Sequence, residues 1–242
     1  MIIFIMFIAA VAMFACIMFM TNRNLRILWT TIFGAIFIAS TAMMTLNYSH
    51  HFGMHKVTTT TSQRIYSASN SSMPLALYQP VGTSGKDNVY IYNTKEKQKT
   101  PNHTQANEYT SSKIKWTNRA TPRLVTTETR WRYNNKFFAS MYMLSGMDGT
   151  LVKRTNVLEY PTSYVKITVK QARQLKKLAS SPAAKKAQAA SQQQGKSAVA
   201  ATVQQALAKN SKMSAQEIQQ VTQQAEQKMQ SQMVKQMLRQ VK

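Results

Sequence analysis

Acidic residues are scarce in this chain: eight Asp and Glu stand against thirty-one Lys and Arg, for a net charge of +23. Paired carboxylates for acid–base work, and oxygen-rich metal sites, are hard to assemble from so few. Asp87 and Asp148 fall in turns, and Glu96, Glu108 and the lone His103 fall in a polar stretch, which leaves Glu128 and Glu159 in the middle region. Cysteine occurs once, at Cys16, and the 226 residues after it contain none. An intramolecular disulfide is excluded, and the only thiol lies in an apolar run. Glycine is sparse, at seven residues. Gly82-Thr83-Ser84-Gly85-Lys86 glances at a phosphate loop but has two residues between its glycines instead of four, and Asp87 follows the lysine. It reads as a hairpin loop. Serine and threonine are plentiful, yet no nucleophile-elbow motif frames any of them. These absences point to a non-enzymatic protein with no catalytic residues and no cofactor.

Two long uncharged runs are present. Residues 1–20, MIIFIMFIAAVAMFACIMFM, contain nothing more polar than Cys16. Twenty helical residues rise about 30 Å, the thickness of a bilayer's hydrocarbon core. Residues 27–46, ILWTTIFGAIFIASTAMMTL, form a second such run, whose hydroxyls can bond back to their own helix. The six-residue link Thr21-Asn22-Arg23-Asn24-Leu25-Arg26 makes the helices antiparallel neighbours. A cleaved signal peptide would need a basic start, a shorter apolar stretch and a small-residue cleavage site. The residues before Cys16 make a poor lipoprotein signal, and soluble core helices usually carry a polar stripe. Residues 1–48 are therefore read as a transmembrane hairpin. Ala9, Ala12 and Cys16 on one helix, with Ala35, Ala39 and Ala42 on the other, are expected to let the two pack closely.

Arg23 and Arg26 set the expected direction, because Lys and Arg in short loops favour the cytoplasmic side. The first charges after the second run, Lys56 and Arg64, lie farther from its end. The turn is placed inside, with both termini and the long C-terminal part outside: a cell-membrane protein with two spans and an extracellular domain. A long domain is largely exempt from the charge rule. A cysteine-free part in an oxidising exterior suits a Gram-positive cell envelope.

The charge is spread along the chain. Residues 56–165 hold fifteen Lys and Arg against six acids, a net +9, and residues 166–242 hold fourteen against two, a net +12. Such surfaces attract polyanions. Outside a cell these are lipid headgroups and anionic wall polymers, and nucleic acid is disfavoured. Candidate polyanion contacts are Arg130, Arg132, Lys228, Lys235 and Lys242. Arg130-Trp131-Arg132-Tyr133 mixes cations with aromatics, as glycan and nucleic-acid surfaces do, but strand alternation explains the same run. His50, His51 and His55 cluster after the second span. His51 and His55 would share a helix face, but no acidic or Cys partner is near, so no metal site is assigned.

A linker, 49–62, leads into a β-rich domain, 63–170. In Leu124–Tyr133 the residues Val125, Thr127, Thr129, Trp131 and Tyr133 alternate with Thr126, Glu128, Arg130 and Arg132, the period of a half-buried strand. Leu75–Val81, Asn88–Tyr92, Phe137–Leu144, Leu151–Tyr160 and Tyr164–Val169 read as further strands, with Asp148-Gly149 as a hairpin turn. A small antiparallel β barrel or sandwich is expected, making the whole a membrane-anchored α+β protein.

The stretches LYQPVGTSGKDNVYIYNT (Leu77–Thr94), TTETRWRYNN (Thr126–Asn135) and LVKRTNVLEYP (Leu151–Pro161) resemble those of a domain-of-unknown-function family of lactic acid bacterial membrane proteins. The resemblance covers roughly residues 1–170 and implies two N-terminal spans followed by one small β-rich domain. It implies no activity and carries no catalytic residues.

Residues 171–212 are rich in Ala, Gln and Lys, interrupted by Pro182 and Gly195, and read as a linker or marginal helix. Ser214 and Glu217 then form a capping box, so a helical tail is expected over 213–242. Ile218, Val221, Ala225, Met229, Met233, Met237 and Val241 make one apolar stripe, while Lys228, Lys235 and Lys242 lie seven apart on another face. The stripe is expected to pack on a partner or on a second copy rather than on the membrane, with docking on its own domain as the plainer alternative.

The leading expectation is a non-enzymatic envelope protein whose basic β-domain and tail bind a partner membrane or envelope protein or an anionic wall polymer. The alternatives are an accessory subunit of a transporter or secretion complex, an envelope-acting enzyme, and a cytoplasmic-facing nucleic-acid binder if the topology is inverted.

Overall fold

The computed structural model describes residues 1–69, 73–82, 87–96, 98–179, 197–210 and 213–240. Residues 83–86, Pro182, Gly195, Val241 and Lys242 lie outside the described residues. The chain forms two compact units, Met1–Thr59 with Thr127–Arg154, and Thr60–Thr126 with Thr155–Lys242. It passes from one to the other within three 11-residue strands, β1 (Met54–Arg64), β7 (Arg123–Tyr133) and β8 (Leu151–Pro161).

The first unit contains helices α1 (Ile2–Phe19) and α2 (Arg23–His50), both long and apolar enough to cross a membrane. At 28 residues, α2 is about 42 Å long. It starts earlier than expected because the Asn22 side chain caps it, accepting from the Asn24 and Leu25 amides at 3.1 and 3.4 Å. Arg23 and Arg26 therefore stand in its first turn and not in a six-residue loop. Thr31, Thr41 and Thr45 donate back to the carbonyls of Ile27, Phe37 and Thr41, as expected of hydroxyls in an apolar helix.

The helices meet along a narrow seam at alternating three- and four-residue steps. Ile2, Met6, Ala9, Met13 and Cys16 on α1, and Phe33, Phe37, Ser40, Met44 and Asn47 on α2, are buried or half-buried at this spacing. Across it the Thr41 hydroxyl donates to the Met6 sulfur at 3.6 Å, while the Met13 sulfur lies against Gly34. Ala9 and Ser40 are buried there. This is the spacing of a left-handed helix pair. The expected contribution of Ala35, Ala39 and Ala42 does not occur; all three are exposed on the far side of α2. Bulky side chains cover the remaining surface outward, among them Phe7 and Ile38 at 67% and 68% exposure.

At the far end of α2, His51 terminates the helix in a left-handed conformation (φ 55°). β1 begins three residues later and occupies most of the segment read as a linker. The run after Asn135 is not a strand but helix α3 (Lys136–Met141), because the Asn135 side chain accepts from the Phe138 amide at 3.1 Å and caps it. Gly53 (φ 78°) lies against the Phe138 ring, where an added Cβ would fall 2.5 Å from a ring carbon.

The second unit is layered. Within the described residues its strands are β2 (Tyr66–Ser67), β3 (Leu75–Val81), β4 (Asp87–Asn93), β5 (Asn102–His103), β6 (Thr110–Thr117) and β9 (Val165–Thr168). One sheet has the order β1-β7-β8-β6, the other β2-β4-β3-β9 with β5 also paired to β4. Ile65, Ala76, Tyr90, Tyr92, Leu124, Leu158 and Tyr160 form a core shared by strands of both sheets. Neither sheet closes into a barrel, and the second is mixed: β3 pairs β4 antiparallel but β9 parallel, Leu75 opposite Val165. The expected all-antiparallel arrangement fails because β9 returns to β3 after the strands of the other sheet, not through a hairpin.

Alternation sends Leu75 and Leu77 to the opposite face from Ala76, into a second core with Val165 and Ile167. Helices α4 (Val169–Ala179) and α6 (Ala215–Gln240) cover that face through Leu175 and Val234. Between them, residues 197–209 form helix α5. The capping box is present: the Ser214 amide donates to Glu217 at 2.7 Å and the Glu217 amide to Ser214 at 3.3 Å. The tail stripe thus docks on its own unit, with Met237 and Leu238 beside Val234.

Gly53→Ala is expected to destabilise the first unit by about 1–3 kcal/mol, from positive φ and overlap with the ring together. A thermal-shift measurement on purified protein checks this; an unchanged melting temperature would contradict the contact.

Candidate functional site

Two carboxylates organise the charge of the sheet strands. Glu159 on β8 is 7% exposed and lies between the two neighbouring strands. Arg123 of β7 donates to it at 2.6 Å, and Lys115 of β6 and Arg119 of the β6–β7 turn approach it at 3.5 and 3.8 Å. The Lys115 and Arg119 side chains remain 62% and 56% exposed, so one buried negative charge holds three cations at the surface. Lys113 stands two residues before Lys115 on the same exposed face of β6. Core-directed Ile114 on the opposite face ties this strand down.

Glu128 on β7 is the second node. Its two oxygens accept from Arg130 at 2.8 Å and Arg154 at 2.6 Å, and Arg130 also donates to the Gly149 carbonyl at 2.8 Å. Arg132 pairs with Asp148 at 2.9 Å, both about half exposed. Arg130 and Arg132, singled out from their aromatic neighbours, are thus each engaged by a carboxylate. Lys228 and Lys235 are exposed on α6, away from its buried Val234. Lys115, Arg119, Arg123 and Arg154 carry no motif that marks them in the sequence. The usable signal was the period of two in Lys113-Ile114-Lys115, which puts two cations on one strand face.

The histidines separate. His51 stacks on Trp131 with centroids 4.0 Å apart, Lys56 lies over the same ring at 5.1 Å, and His55 bonds the Asn134 side chain at 2.9 Å. His51 and His55 share no helix face, because α2 ends between His50 and His51. Among the described residues no three His, Cys, Asp or Glu gather as metal ligands would. Two concavities, of about 530 and 400 Å3, are lined by Phe37, Ile38, Thr41, Ala42, Thr45 and Leu46, and by Met44, Thr45, Tyr48, Leu144 and Ser145. Neither lining holds a carboxylate, imidazole or amine.

A family model matches residues 22–175. The chain belongs to the family described as domain of unknown function DUF4811. The DUF4811 region starts at the cap of α2, includes both carboxylate nodes and ends within α4. It leaves out α1 and the α5–α6 tail. No curated protein and no solved structure matches the chain.

The hydrogen bond from Arg123 holds the Glu159 carboxyl below its ordinary pKa against the opposing effect of burial, and that from Arg130 does the same for Glu128. A carboxyl depressed on folding adds stability above its unfolded pKa, about 4.3, and loses it as pH falls through the lower folded value. Melting temperature is therefore expected to drop on acidification below about pH 4. Glu159→Gln should cost about 1–3 kcal/mol at neutral pH and flatten that drop. Identical acid profiles for the variant and the parent would show that the node contributes nothing.

Proposed function

We propose that this protein is a non-enzymatic, two-span membrane protein that displays a basic β-sheet surface to anionic polymers of the cell envelope. The hairpin turn, with Arg23 and Arg26 at the start of α2, faces the cytoplasm, and the β strands and tail face outward. The observation that carries the binding reading is the Glu159 node, where Lys115, Arg119 and Arg123 share one carboxylate and the first two stay open to solvent. With thirty-one cations and eight acids in the chain, neutralisation from within is impossible. Such a surface attracts a polyphosphate chain over its length without needing a shaped pocket. The resemblance to lactic acid bacterial membrane proteins points to the same setting, a Gram-positive envelope rich in teichoic acid.

A second reading has its own observation. Ala35, Ala39 and Ala42 lie outward on α2 at spacings of four and three, a small-residue face on which a further transmembrane helix can pack. That is the surface an accessory subunit of a transporter or secretion complex would use.

Full-length protein in neutral-lipid nanodiscs is expected to bind wall teichoic acid, with an affinity that falls as salt is raised. Lys115→Glu with Arg119→Glu should weaken binding while leaving the fold intact. Binding that is absent, or indifferent to salt, would defeat the polymer reading. Photocrosslinking in cells from Ala35 and Ala39 tests the accessory reading, which fails if only lipid is captured.

A further inference from the structure

Helix α3 and the residues after it have two apolar faces where a short helix on a soluble domain has one. The inner face is occupied. Tyr142 is buried, stacked on Phe138 at a 3° interplanar angle and on Tyr133, and its hydroxyl donates to the Met43 carbonyl at 3.4 Å. The outer face presents Phe137, Met143 and Leu144 at 63%, 59% and 53% exposure. No acidic residue occurs from Thr129 to Met147.

Position along α2 decides what this outer face meets. The apolar run of α2 begins at Ile27, and about 20 helical residues traverse the hydrocarbon core, which places its far boundary near Leu46. Met43, the partner of Tyr142, lies inside that boundary. So do Met44 and Thr45, which line a notch with Leu144 and Ser145. The Met1 nitrogen donates to the Ser140 and Met141 carbonyls at 2.9 and 2.8 Å, which brings the start of α1 to the same level. The exposed side chains of α3 and of the residues after it therefore continue the outward apolar surface of the hairpin. Tyr48 and Phe52, 70% and 44% exposed, lie at that end of α2, where aromatic rings favour the headgroup boundary.

Resting on the two-span reading above, we infer that Phe137, Met143 and Leu144 form a third membrane contact, inserted into the boundary layer of the leaflet in which α2 ends. The segment does not span the bilayer. It acts as a short interfacial wedge beside the hairpin, with Lys136 at its start able to reach the headgroups. The occupant of this patch is lipid.

The test uses full-length protein in phosphatidylcholine and phosphatidylglycerol proteoliposomes. In a Cys16→Ala background, Phe137→Cys, Met143→Cys and Leu144→Cys are labelled one at a time with a fluorophore, alongside Ile38→Cys as a mid-span control and Tyr109→Cys as a control on the second unit. The replaced side chains are exposed, and three independent positions guard against one variant misfolding. Lipids spin-labelled near the glycerol backbone are expected to quench positions 137, 143 and 144 several-fold more than position 109, while mid-chain labels quench position 38 best. Quenching at 38 with none at 137, 143 and 144 would overturn the wedge and leave the hairpin standing. No quenching at 38 would overturn the two-span reading and the wedge with it.

Discussion

The constraint on which everything else depends is the apolar surface of α1 and α2. Each helix spends one narrow seam on the other, ending on α2 with Ser40, Met44 and Asn47, and turns phenylalanines, isoleucines and methionines outward on its remaining faces. Water disfavours burying so little of so much apolar surface, and a hydrocarbon solvent does not. The helical backbone satisfies its own polar groups, the threonine hydroxyls return to their own carbonyls, and no charge interrupts either apolar run. The charges at the start of α2, the aromatic rings at its end and the basic β strands beyond take their meaning from that requirement.

The second unit follows from a different economy. Each strand divides its residues by parity: Ala76 goes to one core, Leu75 and Leu77 to the other. The two sheets cover one core from both sides, and α4 with α6 closes the other. Tyr160 is fully buried in the shared core, and that burial pushes its phenol above the ordinary value. With apolar residues committed to two cores, the cations go to the outer strand faces, and two carboxylates, Glu159 and Glu128, are each shared among several of them. This is why the charge is ordered but not cancelled.

Much of this was legible in the chain. An uncharged run of twenty residues and a capping box at Ser214 and Glu217 are local signals, and both apolar helices and α6 appear where those signals stand. The alternation over Leu124–Tyr133 likewise marks β7. What was not legible depends on distant partners. The parallel pairing of Leu75 with Val165 joins residues whose local patterns say nothing of each other. Phe137-Phe138 reads as strand by composition, and only the Asn135 cap, with the ring of Phe138 against Gly53, makes it a helix. Small residues favour close approach, and on α1 Ala9 is buried as that rule expects, but on α2 Ala35, Ala39 and Ala42 are exposed while Phe37, Ser40 and Met44 are covered. Of the two arginines flanking Trp131, Arg130 meets Glu128 locally, two residues away on the same face of β7, whereas Arg132 meets Asp148 only through the turn before β8. Lys115, Arg119 and Arg123, scattered over nine residues, converge only when β6, β7 and β8 lie side by side.

On the two-span proposal, the hairpin crosses the membrane with its turn inside and the basic strands outside. Protease shaving of intact cells measures this directly, with an epitope placed in α6 and a second at the turn beside Asn22. The α6 epitope is expected to be lost from intact cells, and the turn epitope to be cut only after permeabilisation. Survival of the α6 epitope until the cells are opened would contradict it, and would turn the same basic surface toward cytoplasmic polyanions.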